Sequence, residues 1–217
     1  MNSKNISILF VTVLLTITAT NFLLVFNTKK ADYTPPPPDF ENNQKTYNDL
    51  IAKAQKASEA EDYENAFNLF KDALKYYPGN QGILNKMGIL KLKGKKYKEA
   101  EKIYSDLSEK SPDNPTYKVA LAFALLYQYK YSQSELVVNQ AQRMRSNDAR
   151  IHLILAAIEA QKNKAAEAVT FLKRYPLQNM LTPFLTEPFF DPIREEEIFQ
   201  TYYNSLVESG SGTENKK

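Results

Sequence analysis

One repeat distance constrains this chain more than anything else in it. Pro78 and Pro112 lie 34 residues apart, and so do Ala66 and Ala100, Tyr63 and Tyr97, and Phe70 and Tyr104. The frame continues as Tyr131, Ser134 and Val138. Within a period the apolar residues recur at helical spacing, and proline then stops the second helix because it cannot continue the hydrogen-bond ladder. Gly94 falls at the turn between the two helices of the second period. A helix-turn-helix of this length cannot bury its apolar face alone, so neighbouring units must stack to make a core. Only 6 glycines in 217 residues suits such a helical chain.

Four windows follow this frame. The first, 47–80, carries Leu50, Ala54, Tyr63, Ala66, Phe70, Ala73 and Pro78; the second, 81–114, carries Leu84, Met87, Gly88, Tyr97, Ala100, Tyr104, Leu107 and Pro112. The third, 115–148, has Leu121, Ala122, Leu125, Tyr131, Ser134 and Ala141, with Ser146 where the closing proline would fall. The fourth starts at Ala149, carries Leu155, Ala156, Ala165, Ala168 and Leu172, and departs from the pattern after Lys173. In these positions the chain resembles the tetratricopeptide-repeat (TPR) family over roughly residues 47–175. Small residues at Ala54, Gly88, Ala122 and Ala156 let the two helices of a repeat approach. Phe70, Tyr104, Val138 and Leu172 fill the space beside them. The resemblance implies an all-α solenoid of about four repeats.

A solenoid needs its last apolar edge covered. The stretch 176–207 suits that role, and Phe184 to Arg194 resembles a segment that follows the last repeat in bacterial TPR proteins, which implies a bacterial host. Asp191 is expected to cap a helix with Pro192 at its first position. Glu195, Glu196 and Glu197 would sit in the first turn, where the helix dipole favours negative charge. Ile198, Phe199, Tyr202, Tyr203 and Leu206 would form the apolar face, and residues 208–217 a disordered tail.

Before the repeats, residues 1–5 form a short tail and Ile6 to Phe26 runs for 21 residues without a charge. At about 1.5 Å per residue that reaches roughly 30 Å, the thickness of a bilayer's hydrocarbon core. A cleaved signal peptide would need a shorter apolar run and a small-x-small site. Thr18-Ala19-Thr20 is a poor one, and Phe22 to Phe26 extends the run past it. A single uncleaved transmembrane anchor in the lipid bilayer is the expectation. Lys4 with the amino terminus balances Lys29 and Lys30, so the positive-inside rule is nearly tied. A short N-terminal tail ahead of a long domain is a common layout for export, which points to the bacterial inner membrane with the repeats on the periplasmic or outer side. Residues 27–46 form a linker, in which Pro35 to Pro38 favour an extended polyproline II spacer.

Composition excludes much chemistry. Without cysteine there is no disulfide, thiol nucleophile or thiolate metal site, and the single His152 excludes multi-histidine centres. A net charge of +3 argues against nucleic acid. Gly88 to Lys95 has one residue too many between its glycines for a phosphate loop, and no strand precedes it. No enzyme activity, cofactor or metal is expected. Seven lysines (Lys86, Lys91, Lys93, Lys95, Lys96, Lys98 and Lys102) face only Glu99 and Glu101 within 17 residues. They make a solvated face or a contact for anionic headgroups or an acidic partner.

The family binds peptides or helices on a concave face built from the first helix of each repeat. Carried over, that face holds Ile51 and Gln55; Asn85, Ile89 and Leu92; Val119, Phe123, Leu126 and Tyr127; and Leu153. Where relatives clamp a carboxylate, this chain has Ile51, Gln55, Lys86, Thr116 and Ala120, so only Lys86 is basic. The groove therefore suits an apolar peptide or amphipathic helix, unless the segment Phe184 to Phe190 packs into it. The implied function is a membrane-tethered adaptor for another protein. A holdase for segments crossing the membrane and a self-associating structural subunit are the other readings.

Overall fold

The computed structural model describes residues 40–178 and 181–211. The apolar run Ile6–Phe26, the prolines Pro35 to Pro38 and residues 212–217 lie outside them. The chain divides into two compact units, Met1–Lys45 and Thr46–Lys217. Of the first unit only residues 40–45, the start of a helix, are described.

Every regular element among the described residues is helical. The first three repeats comprise α1 (Phe40–Glu59) with α2 (Tyr63–Ala73), α3 (Gln81–Lys93) with α4 (Tyr97–Lys110), and α5 (Pro115–Leu126) with α6 (Tyr131–Arg143). The fourth comprises α7 (Arg150–Gln161) with α8 (Ala165–Lys173). The cap comprises α9 (Thr182–Leu185), a 3-10 helix (Pro188–Ile193) and α10 (Glu197–Ser211). No helix among the described residues is long and apolar enough to cross a membrane.

Three boundaries differ from expectation. Helix α1 already covers residues 40–46, ahead of Tyr47, a stretch with neither proline nor glycine to break it. At the other end α10 runs to Ser211, past 207. Asp191 does not cap a helix. It lies inside the 3-10 helix, where its Oδ1 accepts from Arg194 Nη2 at 2.6 Å, and α10 starts six residues later with only Glu197 in its first turn.

The turns repeat as faithfully as the helices. Glu61, Lys95, Tyr129 and Asn163 all have φ between 56° and 59°, and they stand one period apart. After each, the amide of Asp62, Lys96, Lys130 or Lys164 donates to the carbonyl of Ala57, Lys91, Leu125 or Glu159 at 2.8–3.0 Å. This is the left-handed closure that satisfies the last carbonyls of a helix, made here without glycine. Asp62 also accepts from the Asn65 amide at 3.3 Å, Asn80 from that of Ile83 at 3.2 Å, and Asn114 from that of Thr116 at 3.0 Å ahead of Pro115.

Packing uses the small-against-large pairs. Ala54, Ala122 and Ala156 are fully buried. Gly88 takes the alanine position where the partner is the largest, Tyr104: a Cβ built on Gly88 would stand 2.7 Å from Tyr104 Cζ. The Tyr104 hydroxyl donates to the Asn85 carbonyl at 3.4 Å. Ser134 replaces alanine at no cost in unmet bonding, since its buried Oγ donates to the Ala122 carbonyl at 2.7 Å. Beyond repeat three, the cap joins the same core as α7 and α8, with Leu181, Leu185, Phe189, Phe190, Ile193 and Phe199 all buried.

Candidate protein-binding grooves

The concave face is built from α1, α3, α5 and α7, and its two halves differ. Val119 and Leu126 are fully buried and Leu153 nearly so, so they are core between helices rather than surface. Phe123 and Tyr127 are half-buried, and the cap covers Tyr127. The Phe189 ring meets the Tyr127 ring edge-on at 5.0 Å, and the Phe123 ring lies 5.0 Å from Tyr127 as well. Phe184 packs on Phe189 at 6.0 Å. Gln161 Nε2 donates to the Phe189 carbonyl at 2.8 Å, fixing the segment's backbone. Burial, and then the nearby Glu187 carboxylate, push the Tyr127 hydroxyl well above the usual phenol range. In repeats three and four the groove thus holds the protein's own chain.

Repeats one and two leave it open. Gln55 is exposed and Ile89 is 40% exposed, unusual for isoleucine inside a solenoid. They border a cleft of about 360 Å³ whose other walls are Ser58, Glu59, Phe70, Lys86 and Leu90. Lys86 Nζ lies 5.9 Å from the Phe70 ring centre. Ile51, Asn85 and Leu92 are half-buried; Ile51 packs against the core shared by repeats one and two, and Leu92 against that shared by repeats two and three. Of the ten residues placed on the concave face by repeat position, the structure brings Gln55 and Ile89 together at this open cleft. Glu59, Phe70 and Leu90 were not singled out as groove residues, although the repeat offset relates Glu59 to Tyr127.

The lysine cluster splits into two groups. Lys91 is only 4% exposed. Its Nζ reaches Glu99 at 2.8 Å and Glu64 at 3.3 Å, and stands 3.8 Å from the Phe67 ring centre. Lys96 pairs with Glu64 at 2.6 Å, and these two lysines hold the Glu64 carboxyl below its ordinary range. The arrangement recurs down the stack. Lys130 pairs with Glu101 at 2.7 Å and Lys162 with Glu135 at 2.6 Å, each joining the turn of one repeat to the second helix of the repeat before. Burial raises the pKa of Glu101, but bonds from Lys130 and Gln128 outweigh it and leave the carboxyl lowered. Lys95, Lys98 and Lys102 are exposed and carry no ion pair among the described residues.

No group of three or more His, Cys, Asp or Glu side chains among the described residues could hold a metal ion. His152 is half-buried on α7; burial, then Arg174, lower its pKa. Gly88 lies within α3, so 88–95 forms no phosphate-binding loop.

Two family profiles described as tetratricopeptide repeat match the sequence, over residues 57–122 and 119–179. Among solved structures, a thermophilic TPR protein from Thermus thermophilus is similar at TM-score 0.61 and 18% identity, over 79% of this chain and 93% of that one. MamA from Desulfovibrio magneticus RS-1, as a fragment from residue 41 to its end, gives 0.53 and 18% over 59% and 73%. A tetratricopeptide repeat protein from Parabacteroides merdae gives 0.55 and 14% over 79% and 68%. At these identities the likeness concerns the fold alone. No curated protein matches the chain. With the 34-residue frame, the paired helices and two matching profiles that together span more than half its length, the chain belongs to the tetratricopeptide-repeat family.

Proposed function

We propose that this chain is a membrane-tethered TPR adaptor that holds a segment of another protein in the concave cleft of its first two repeats. The observation that carries the reading is the contrast between the two halves of the groove: the cap fills one and the cleft at Gln55 and Ile89 stays open. TPR repeats generally serve as non-enzymatic scaffolds for protein partners, and fold alone does not name the partner. An apolar Ile89 beside Lys86 and Glu59 suits an amphipathic segment that lays an apolar side chain into the cleft and polar ones on its rim.

A photo-crosslinking amino acid at Gln55 or Ile89 in cells should give one discrete adduct, whereas the same label at exposed Gln142 should give none. Ile89→Asp should weaken the interaction at least tenfold, at a stability cost of about 1 kcal/mol that leaves the protein folded, since the side chain is 40% exposed. A broad ladder of adducts would favour the holdase reading, and no adduct at either site sinks the groove.

The tether in this proposal is Ile6–Phe26, with the repeats outside the cytoplasmic membrane and 27–39 as spacer. Protease added to cells with a permeabilised outer barrier should then digest the repeat domain. Protection until the membrane itself is lysed would put the domain in the cytosol.

A further inference from the structure

Comparing the junctions between repeats exposes a second groove, on the convex side. At the first junction the last turn of α3 presents Lys91, which Glu64 and Glu99 neutralise. One period on, the same three places hold Leu125, Lys98 and Gln133. The carboxylates have gone and a cation has taken one of their positions. What results is a groove of about 500 Å³ between α4 and α6, floored by Leu121, Leu125 and Val137, with Leu136 on one bank and Lys98 and Lys102 on the other. Leu136 is 63% exposed, the most of any large hydrophobic side chain among the described residues. Glu101 also lines the groove, but Lys130 and Gln128 occupy it, which leaves Asp106 as the remaining carboxylate there.

The same chain carries a complement. Residues 187–208 hold six carboxylates and one cation, Arg194, which is bonded to Asp191. Glu195, Glu196 and Glu197 are exposed and carry no ion pair among the described residues, and they run directly into Ile198, 44% exposed. Residues 59–64 are acidic as well. There, however, Glu64 is held by Lys91 and Lys96, Asp62 caps α2, and no large apolar side chain is exposed.

We infer that a second copy of this chain docks its acidic cap, Glu195 to Ile198, on the convex groove at Lys98, Lys102 and Leu136. The two patches differ, so the contact is head-to-tail and propagates into chains or closes into rings. It engages neither Gln55 nor Ile89 and is independent of the concave cleft.

The native chain lacks cysteine, so single-cysteine variants report one contact each. Full-length protein carrying Leu136→Cys is mixed in detergent with tagged full-length protein carrying Ile198→Cys, and disulfides are formed with a mild oxidant. The mixture should cross-link at least tenfold faster than either variant alone. At about 0.5 M salt, where the screening length falls to a few ångströms, the rate should drop several-fold. Lys98→Glu with Lys102→Glu on the first partner should abolish cross-linking. Glu195→Lys with Glu196→Lys on the second should restore it. Equal rates in the single-variant samples overturn the proposal. So does the absence of a mixed product, including the case where the lysine reversals instead reduce co-sedimentation with phosphatidylglycerol vesicles.

Discussion

Gly88→Ala should destabilise the protein by about 2–3 kcal/mol, against the usual sign for this exchange inside a helix. Alanine ordinarily gains up to about 1 kcal/mol over glycine there, because it restricts the unfolded chain. At Gly88 the new methyl would stand 2.7 Å from Tyr104 Cζ and 2.8 Å from Cε2. Tyr104 is fully buried and its hydroxyl holds the Asn85 carbonyl, so the ring has nowhere to retreat. The fourth repeat shows the remedy, pairing Ala156 with Leu172 at the same two places. Tyr104→Leu alone leaves a void and should cost about 2–4 kcal/mol. Combined with Gly88→Ala it should cost less than the two single losses added, by about 1 kcal/mol or more. Thermal melts of the four proteins test this. At about 2–4 °C per kcal/mol the Gly88→Ala loss alone should lower the midpoint by roughly 5–10 °C. A Gly88→Ala protein as stable as its parent would show that the helices separate freely.

The largest single effect is expected from Phe190→Ala, about 3–5 kcal/mol. Phe190 is fully buried, its ring stacked on Phe199 at 5.6 Å and met edge-on by Phe184 at 5.5 Å. It ties the 3-10 helix to α10. Because repeat proteins unravel between neighbours rather than all at once, the loss should appear first as local opening. Hydrogen exchange should accelerate in 182–208 and in α7 and α8, whereas α1 to α4 keep their protection. Uniform acceleration across the chain would mean that the cap and the repeats form one cooperative unit.

How much of this was legible in the sequence depends on how far apart the interacting residues lie. The 34-residue frame carries the helix pairs and the small-against-large contacts, since each is set within a repeat or between adjacent ones, whereas of the two prolines expected to stop a helix Pro112 follows the end of α4 directly and α2 ends at Ala73, well before Pro78. The helical stretch ahead of Tyr47 escaped because 41–46 is polar and outside the frame, so nothing marks a helix there except the absence of a breaker. The left-handed turns at Glu61, Lys95, Tyr129 and Asn163 escaped because the usual signal is glycine, and these positions lack it. Repeat offsets put Val119, Phe123, Leu126, Tyr127 and Leu153 on the concave face. They could not decide that neighbouring helices bury Val119, Leu126 and Leu153, or that Phe189, far along the chain in the cap, lies against Tyr127. Lys91 read as one of seven surface cations. Its burial follows from Glu64, 27 residues earlier, and Phe67, which no local pattern links to it.

The three core clusters are unequal, and the inequality bears on how the open cleft would work. One cluster runs from repeat three through the cap, whereas a smaller one joins repeats one and two and another joins repeats two and three. Among the described residues the largest core therefore lies at the C-terminal end, away from the cleft. A guest seated between α1 and α3 would add packing beside the smaller core of the first two repeats, so occupancy and local order would rise together. Part of the binding energy would go into tightening the host, which lowers affinity for any segment that fits poorly and sharpens the choice among segments.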